Sequence, residues 1–154
     1  MNLDQVLPQV VVGSYPETPQ DIDRLAREFG VTAVLNLHTD EDIDDLCVPW
    51  PLLEDHYRRS NIEVRRVPIT DFDHDDLQAC LPQGVRELAE LIDAGHTVYC
   101  HCTAGIGRSP SVVVAYLHWI EGHDLDQAAI LVQQRRPCSP DLRAIRLAGR
   151  DFQA

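Results

Sequence analysis

The feature that most constrains this chain is a strand that runs almost directly into an apolar helix. Residues 97–101 form a short run of strand length, and residues 109–121 carry Val112, Val113, Val114, Ala115, Leu117 and Ile120. That helix is apolar on most sides, so it must be covered on most sides. Such an element belongs at the centre of a layered fold, between a sheet and further helices.

The flanking segments supply those layers. Residues 5–6 and 9–12 read as two short strands with Leu7-Pro8 turning between them. Thr18-Pro19-Gln20-Asp21 is a helix start, with a hydroxyl cap, proline at the first helical position and an acid in the first turn. Gly30 closes that helix. Residues 31–37 are a nearly continuous apolar run, as in a strand covered on both faces. Residues 51–60 read as a helix, 62–69 as a strand and 77–94 as a long amphipathic helix despite Pro82. Asp124 caps a helix reaching Arg135-Arg136, and Ser139-Pro140 starts a last helix through about Phe152. The prediction is one α/β domain over residues 1–154. It has a mostly parallel central sheet of about five strands flanked by helices, with functional loops at the carboxyl ends of the strands.

Charge narrows the partners. The chain carries a net charge of −12, from 13 basic and 25 acidic residues, and every basic residue is arginine. A negative surface disfavours nucleic acid and anionic membrane. An anionic substrate must be captured by a local positive site. No apolar run approaches the ~20 residues of a membrane span, and the N-terminus shows no signal-peptide pattern. A cytoplasmic monomer is expected. The five cysteines are odd in number and include no pair of CxxC motifs, so neither a disulfide framework nor a zinc site is expected. Residues 38–45 hold His38 and five acids without a complete metal-ligand spacing, and read as a solvated loop.

The chemistry concentrates where the central strand ends. Cys102 is followed by Thr103, Ala104, Gly105, Ile106, Gly107, Arg108 and Ser109. A thiol of pKa ~8.5 is a useful nucleophile only where its anion is stabilised. The amides of residues 103–108 can curl around one point, and the start of the next helix adds free N–H groups. Gly105 and Gly107 are expected to supply positive φ angles. Arg108 offers a planar fork for two phosphate oxygens, and Ser109 a hydroxyl for the sulfur. Together these groups fit a phosphoryl group seated on sulfur. A leaving alkoxide also needs a general acid from a facing loop. Spacing alone leaves Asp71, Asp73, Asp75 and Asp76 open.

The run His101-Cys102-Thr103-Ala104-Gly105-Ile106-Gly107-Arg108-Ser109 resembles the signature of the cysteine-dependent protein tyrosine phosphatase superfamily, and the short chain resembles its dual-specificity branch. The loop is also similar to that of laforin-like and plant starch-excess glucan phosphatases. So are Gly13-Ser14 with Pro16, Asp71-Phe72-Asp73, and Arg136-Pro137-Cys138-Ser139-Pro140. The resemblance implies Cys102 as nucleophile through a phosphocysteine, Arg108 as phosphate clamp and His101 as support for the thiolate. It implies that Ser109 eases thiolate departure, and that no metal or cofactor is required. It selects Asp71 as the general acid and places Phe72 beside the scissile phosphate. Substrates implied are a phosphoprotein or a phosphorylated glucan. Tyr15, Trp50 and Phe72 are the candidates for stacking on sugar. A silent phosphate-binding module and a rhodanese-like sulfurtransferase are the alternatives. The presence of Cys102, Arg108 and Asp71 points away from the first, and the full five-residue interval from the second.

Overall fold

The computed structural model describes residues 1–150 and Phe152. In chain order the elements are β1 (Leu3–Leu7), β2 (Val10–Gly13), α1 (Pro19–Phe29), β3 (Ala33–Asn36), α2 (Asp40–Asp45), α3 (Trp50–Arg59), β4 (Glu63–Arg66), α4 (His74–Asp93), β5 (Val98–His101), α5 (Arg108–Trp119), α6 (Leu125–Arg135) and α7 (Leu142–Ala148). The strands pair in the order β1-β2-β5-β3-β4. The last four in that order are parallel, and β1 joins the edge antiparallel to β2. The expected α/β class and mostly parallel sheet of five strands are therefore observed.

Register brings the site together. β5 lies between β2 and β3, and His101 at its end is level with both Gly13 and Asn36. Asn36 is also level with Arg66. The four parallel strands thus stop at one edge, and the loops that follow them converge there. Alternate side chains split the core. Val10, Val12, Leu35, Val98 and Cys100 face α4, α5, α6 and α7, whereas Val11, Val34 and Tyr99 face α1 and α3. α5 is buried from Arg108 through Leu117, as its apolar circumference requires. Pro82 sits inside α4, where proline costs about 3 kcal/mol. Leu77, Leu81, Val85, Leu88 and Leu91 are buried along the same helix, at roughly 1.5–3 kcal/mol each, and outweigh it.

Three expectations need correction. Residues 38–45 are not a solvated loop: Asp40–Asp45 is helical. Thr39 Oγ1 accepts from the Asp42 amide at 3.0 Å, and Asp42 Oδ2 accepts from the Thr39 amide at 3.0 Å. This reciprocal cap holds a turn that five acids and no buried residue would not hold by packing. The long helix begins earlier than residue 77, because Asp73 caps it and His74 is its first residue. The last helix begins later, at Leu142, because Asp141 is its cap and the amide of Ser139 is spent on Ile106 O at 2.8 Å. That helix also ends at Ala148, short of the predicted end near Phe152, with Gly149 as its C-cap.

Candidate active site

The loop after β5 turns its carbonyls outward, and each one has a donor. His101 Nδ1 donates to Cys102 O at 3.0 Å, and the Tyr15 amide to Thr103 O at 3.2 Å. Arg136 donates through Nη2 to Ala104 O at 2.9 Å and through Nε to Gly105 O at 2.7 Å. The Ser139 amide takes Ile106 O, and Ser111 takes Gly107 O with its amide and, at 2.7 Å, its hydroxyl. With the carbonyls tied back, the N–H groups of residues 103–107 have no protein acceptor among the described residues. The start of α5 adds more free N–H groups on the same side. This is an anion cradle.

Gly105 makes the curl possible. Its φ is 71°, and a Cβ there would lie 2.5 Å from the Gly13 carbonyl carbon. Gly107 does not share that conformation: its φ is −113°, and it serves as the cap position of α5. The expected positive φ therefore holds for Gly105 alone of the two.

Cys102 is buried at the base of the cradle, with Sγ 3.3 Å from Ser109 Oγ. Arg108 is 3% exposed and densely bonded. Nη1 donates to Asp42 Oδ2 at 2.7 Å and to Ile69 O at 2.8 Å. Nη2 donates to Thr103 Oγ1 at 3.0 Å and pairs with Asp71 Oδ2 at 3.2 Å. Nε is buried with no partner. One edge of the guanidinium is thus anchored by Asp42 and Ile69. The other, Nε with Nη2, is held only by Thr103 and a partly exposed carboxylate.

Charges around the clamp follow from burial. Burial pushes the Asp42 carboxyl up, but its bonds to Arg108 and Thr39 outweigh this and hold it below the ordinary range. His38 is 1% exposed, and its Nε2 lies 3.0 Å from Thr103 Oγ1. Burial lowers its pKa to about 4, against a smaller opposing pull from Asp42. Burial, then His38, lowers His101 to about 3. Both rings are neutral at pH 7. Thr103 Oγ1 accepts from Arg108, so its own proton is free for His38 Nε2.

A cleft of about 520 Å³ opens over Cys102. Asp71, Phe72, Asp73 and His74 form one wall, and Ile106, Ser139 and Asp141 another. Phe72 is fully exposed at its rim, with φ 57°. Tyr15 and Trp50 do not line it: Tyr15 packs 5.3 Å from the His38 ring, and Trp50 lies under Arg66 at 5.6 Å. Of the three aromatics named from sequence, only Phe72 borders the cleft.

The stretch that builds this cradle also has relatives. Residues 11–145 match the family described as dual specificity phosphatase, catalytic domain. The chain belongs to that family. The phosphatase domain is 37% identical over 154 residues to phosphoglucan phosphatase DSP4, amyloplastic, of Castanea sativa, covering 99% of this chain and 41% of the relative. It is 33% identical over 163 residues to mouse laforin, covering 99% and 49%. The chain thus spans less than half the length of these relatives. Among solved structures, human DUSP28 aligns with a TM-score of 0.73 at 25% identity, over 99% of this chain and 95% of that one. PTPMT1 in complex with PI(5)P aligns at 0.77 and 20% identity, over 96% and 92%, a likeness of fold. Both the superfamily and the glucan-phosphatase likeness expected from residues 101–109 are found.

The structure brings Cys102, Arg108, Asp71 and Phe72 to one cleft, with Ser109 buried 3.3 Å behind the Cys102 sulfur. His101 lies behind the loop and braces it by a hydrogen bond, without positive charge. Sequence reasoning missed Asp42, His38 and Arg136. The capping pattern Thr39-x-x-Asp42 was the available signal for the first, and Arg136 stood in the family-like run 136–140 with no role attached to it; no local pattern marked His38.

Proposed function

We propose that this chain hydrolyses phosphate monoesters through a phosphocysteine intermediate. The observation that carries the proposal is the cradle itself: the loop that starts at Cys102 keeps its N–H groups free of protein acceptors, and the Arg108 guanidinium, with its unpartnered Nε, lines the same cleft as Cys102. A phosphate dianion entering the cradle takes Nη2 from Asp71 and frees that carboxyl to face the leaving oxygen. The Cys102 thiolate attacks phosphorus, the bond to the leaving oxygen breaks, and Asp71 gives that oxygen its proton. The loop amides and Arg108 hold the equatorial oxygens as charge develops on them. Water then attacks the phosphocysteine, Asp71 takes its proton, and the sulfur departs as thiolate beside the Ser109 hydroxyl. Inorganic phosphate is released.

A phosphorylated glucan is the favoured substrate. The relatives named phosphoglucan phosphatase cover nearly the whole of this chain. Around the phosphate position the cleft offers Phe72, Leu77 and Ile106 with an acidic rim of Asp73 and Asp141. Such a lining suits an uncharged, hydroxyl-bearing leaving group better than one with a second phosphate. A phosphoprotein is the second reading, favoured by 29% identity to human dual specificity protein phosphatase 1 over 86% of this chain. Five free cysteines support action in a reducing compartment such as the cytoplasm. Phosphate release from solubilised phosphoglucan, set against phosphotyrosine and phosphoserine peptides at equal enzyme, tests the reading. Faster release from the peptides would overturn the glucan assignment, and release from none would overturn the activity.

A further inference from the structure

We propose that His74 and Asp141 form a clamp that positions the acid loop over the phosphate loop, which makes His74 a positioning residue for acid catalysis. The inference rests on the assignment of Asp71 as the general acid. His74 is the first residue of α4, three positions after Asp71 and directly after the cap Asp73. Its Nδ1 lies 2.7 Å from Asp141 Oδ2, while its Nε2 is buried with no partner. The ring is therefore anchored through one bond.

Asp141 is in turn tied to the phosphate loop. Its amide donates to Ser111 Oγ at 2.9 Å, and Ser111 Oγ donates to Gly107 O at 2.7 Å. Two residues earlier, the Ser139 amide donates to Ile106 O. Asp141 Oδ1 also accepts from the Ala144 amide at 2.9 Å and so caps α7. Burial pushes the Asp141 carboxyl up, but the Ala144 amide and His74 outweigh this and hold it below the ordinary range. It is a carboxylate when it accepts from His74. A continuous path thus runs from Gly107 through Ser111 and Asp141 to His74 at the foot of the acid loop.

Asp71 needs such a reference. Its own contacts are the ion pair to Arg108 and a bond from the Phe72 amide at 3.1 Å. The first is the contact an entering phosphate displaces. Once it is lost, the placement of Asp71 depends on what fixes the loop at its two ends. On the helix side that is the His74 clamp, together with Asp76 Oδ2 accepting from the Thr70 amide at 2.7 Å. An error of about 1 Å in a catalytic group costs up to roughly a hundredfold in rate.

The test compares phenyl phosphate, whose leaving group needs a proton, with para-nitrophenyl phosphate, whose leaving group does not. Asp71→Asn is the reference and should slow phenyl phosphate about a hundredfold more than the activated ester. His74→Ala should slow phenyl phosphate about tenfold and the activated ester less than about twofold, with KM little changed. His74→Asn, which places an amide nitrogen near the position of Nδ1, should restore most of the loss. Asp141→Ser keeps an α7 cap but cannot reach His74, and should reproduce the alanine variant. In the Asp71→Asn background, His74→Ala should cost nothing further on phenyl phosphate. Equal losses on both esters, no loss on either, or a full additional loss in the double variant would each overturn the clamp. If Asp71→Asn treats the two esters alike, the acid assignment fails and the clamp falls with it, an outcome read from a different variant.

Discussion

Lowering the pH from 7.5 to 5.5 should remove about 2.7 kcal/mol of folding stability, and two buried histidines are the reason. His38 and His101 are held neutral in the fold, with pKa values lowered from 6.5 to about 4 and about 3. In the unfolded chain each takes a proton near 6.5, so below that pH the unfolded state binds more protons than the native one. Stability from these groups is fully present above 6.5 and fades as pH falls toward the folded values. At pH 5.5 an unfolded histidine is about nine-tenths protonated and the folded pair is neutral, a difference of roughly 1.35 kcal/mol for each. Asp42, Asp76 and Asp141, held below the ordinary carboxyl range, act lower: their contribution is intact above about 3.8 and is lost beneath it. Urea unfolding followed by the fluorescence of Trp50 and Trp119 at pH 7.5 and 5.5 measures the drop. In His38→Gln the drop should shrink by about half, whatever the variant's stability at pH 7.5. A wild-type protein equally stable at both pH values, or a His38→Gln variant that keeps the full drop, would refute the reasoning.

Other outcomes follow from the same geometry. Cys102→Ser should abolish turnover of an activated aryl phosphate while leaving the melting temperature within about 3 °C. Residual turnover near wild type would exclude Cys102 as nucleophile. Asp42→Ala removes the charged one of the two anchors on Nη1 of a buried guanidinium, leaving Ile69 O, at a cost of about 3 kcal/mol, and should lower the melting temperature and raise KM. Calorimetry and steady-state kinetics check both. Gly105→Ala should unfold or inactivate the protein, because the new Cβ meets the Gly13 backbone at 2.5 Å in addition to the ~1 kcal/mol cost of left-handed backbone. A stable, active Gly105→Ala protein would show that the loop relaxes away from β2.

How much was legible depended on how local the cause was. The apolar run at 31–37, the cap at Thr18-Pro19 and the amphipathic stripe of α4 are local patterns, and they placed the strands and most helices. α2 was not legible as a helix, because Asp40–Asp45 has no buried residue and no apolar period; it stands on a reciprocal cap and on Arg108. Gly105 and Gly107 look alike in sequence, yet only one lies against the Gly13 backbone. Tyr15 and Trp50 were reasonable sugar platforms until packing assigned one to His38 and the other to Arg66.

The sequence by itself determined the fold class and set the proposed nucleophile and phosphate clamp in one loop. Cys102 and Arg108 lie within one loop whose chemistry is set over a few residues, and alternating apolar runs leave few ways to layer a chain. The tertiary structure alone decided what shapes and charges that loop. Arg136 reaches it from 31 residues away to hold Gly105 O, His38 from 65 to touch Thr103, and Asp42 from 66 to anchor Arg108. Hydrogen bonds across such separations leave no spacing to read, because they exist only after β2, β3 and β5 have been brought to a common edge.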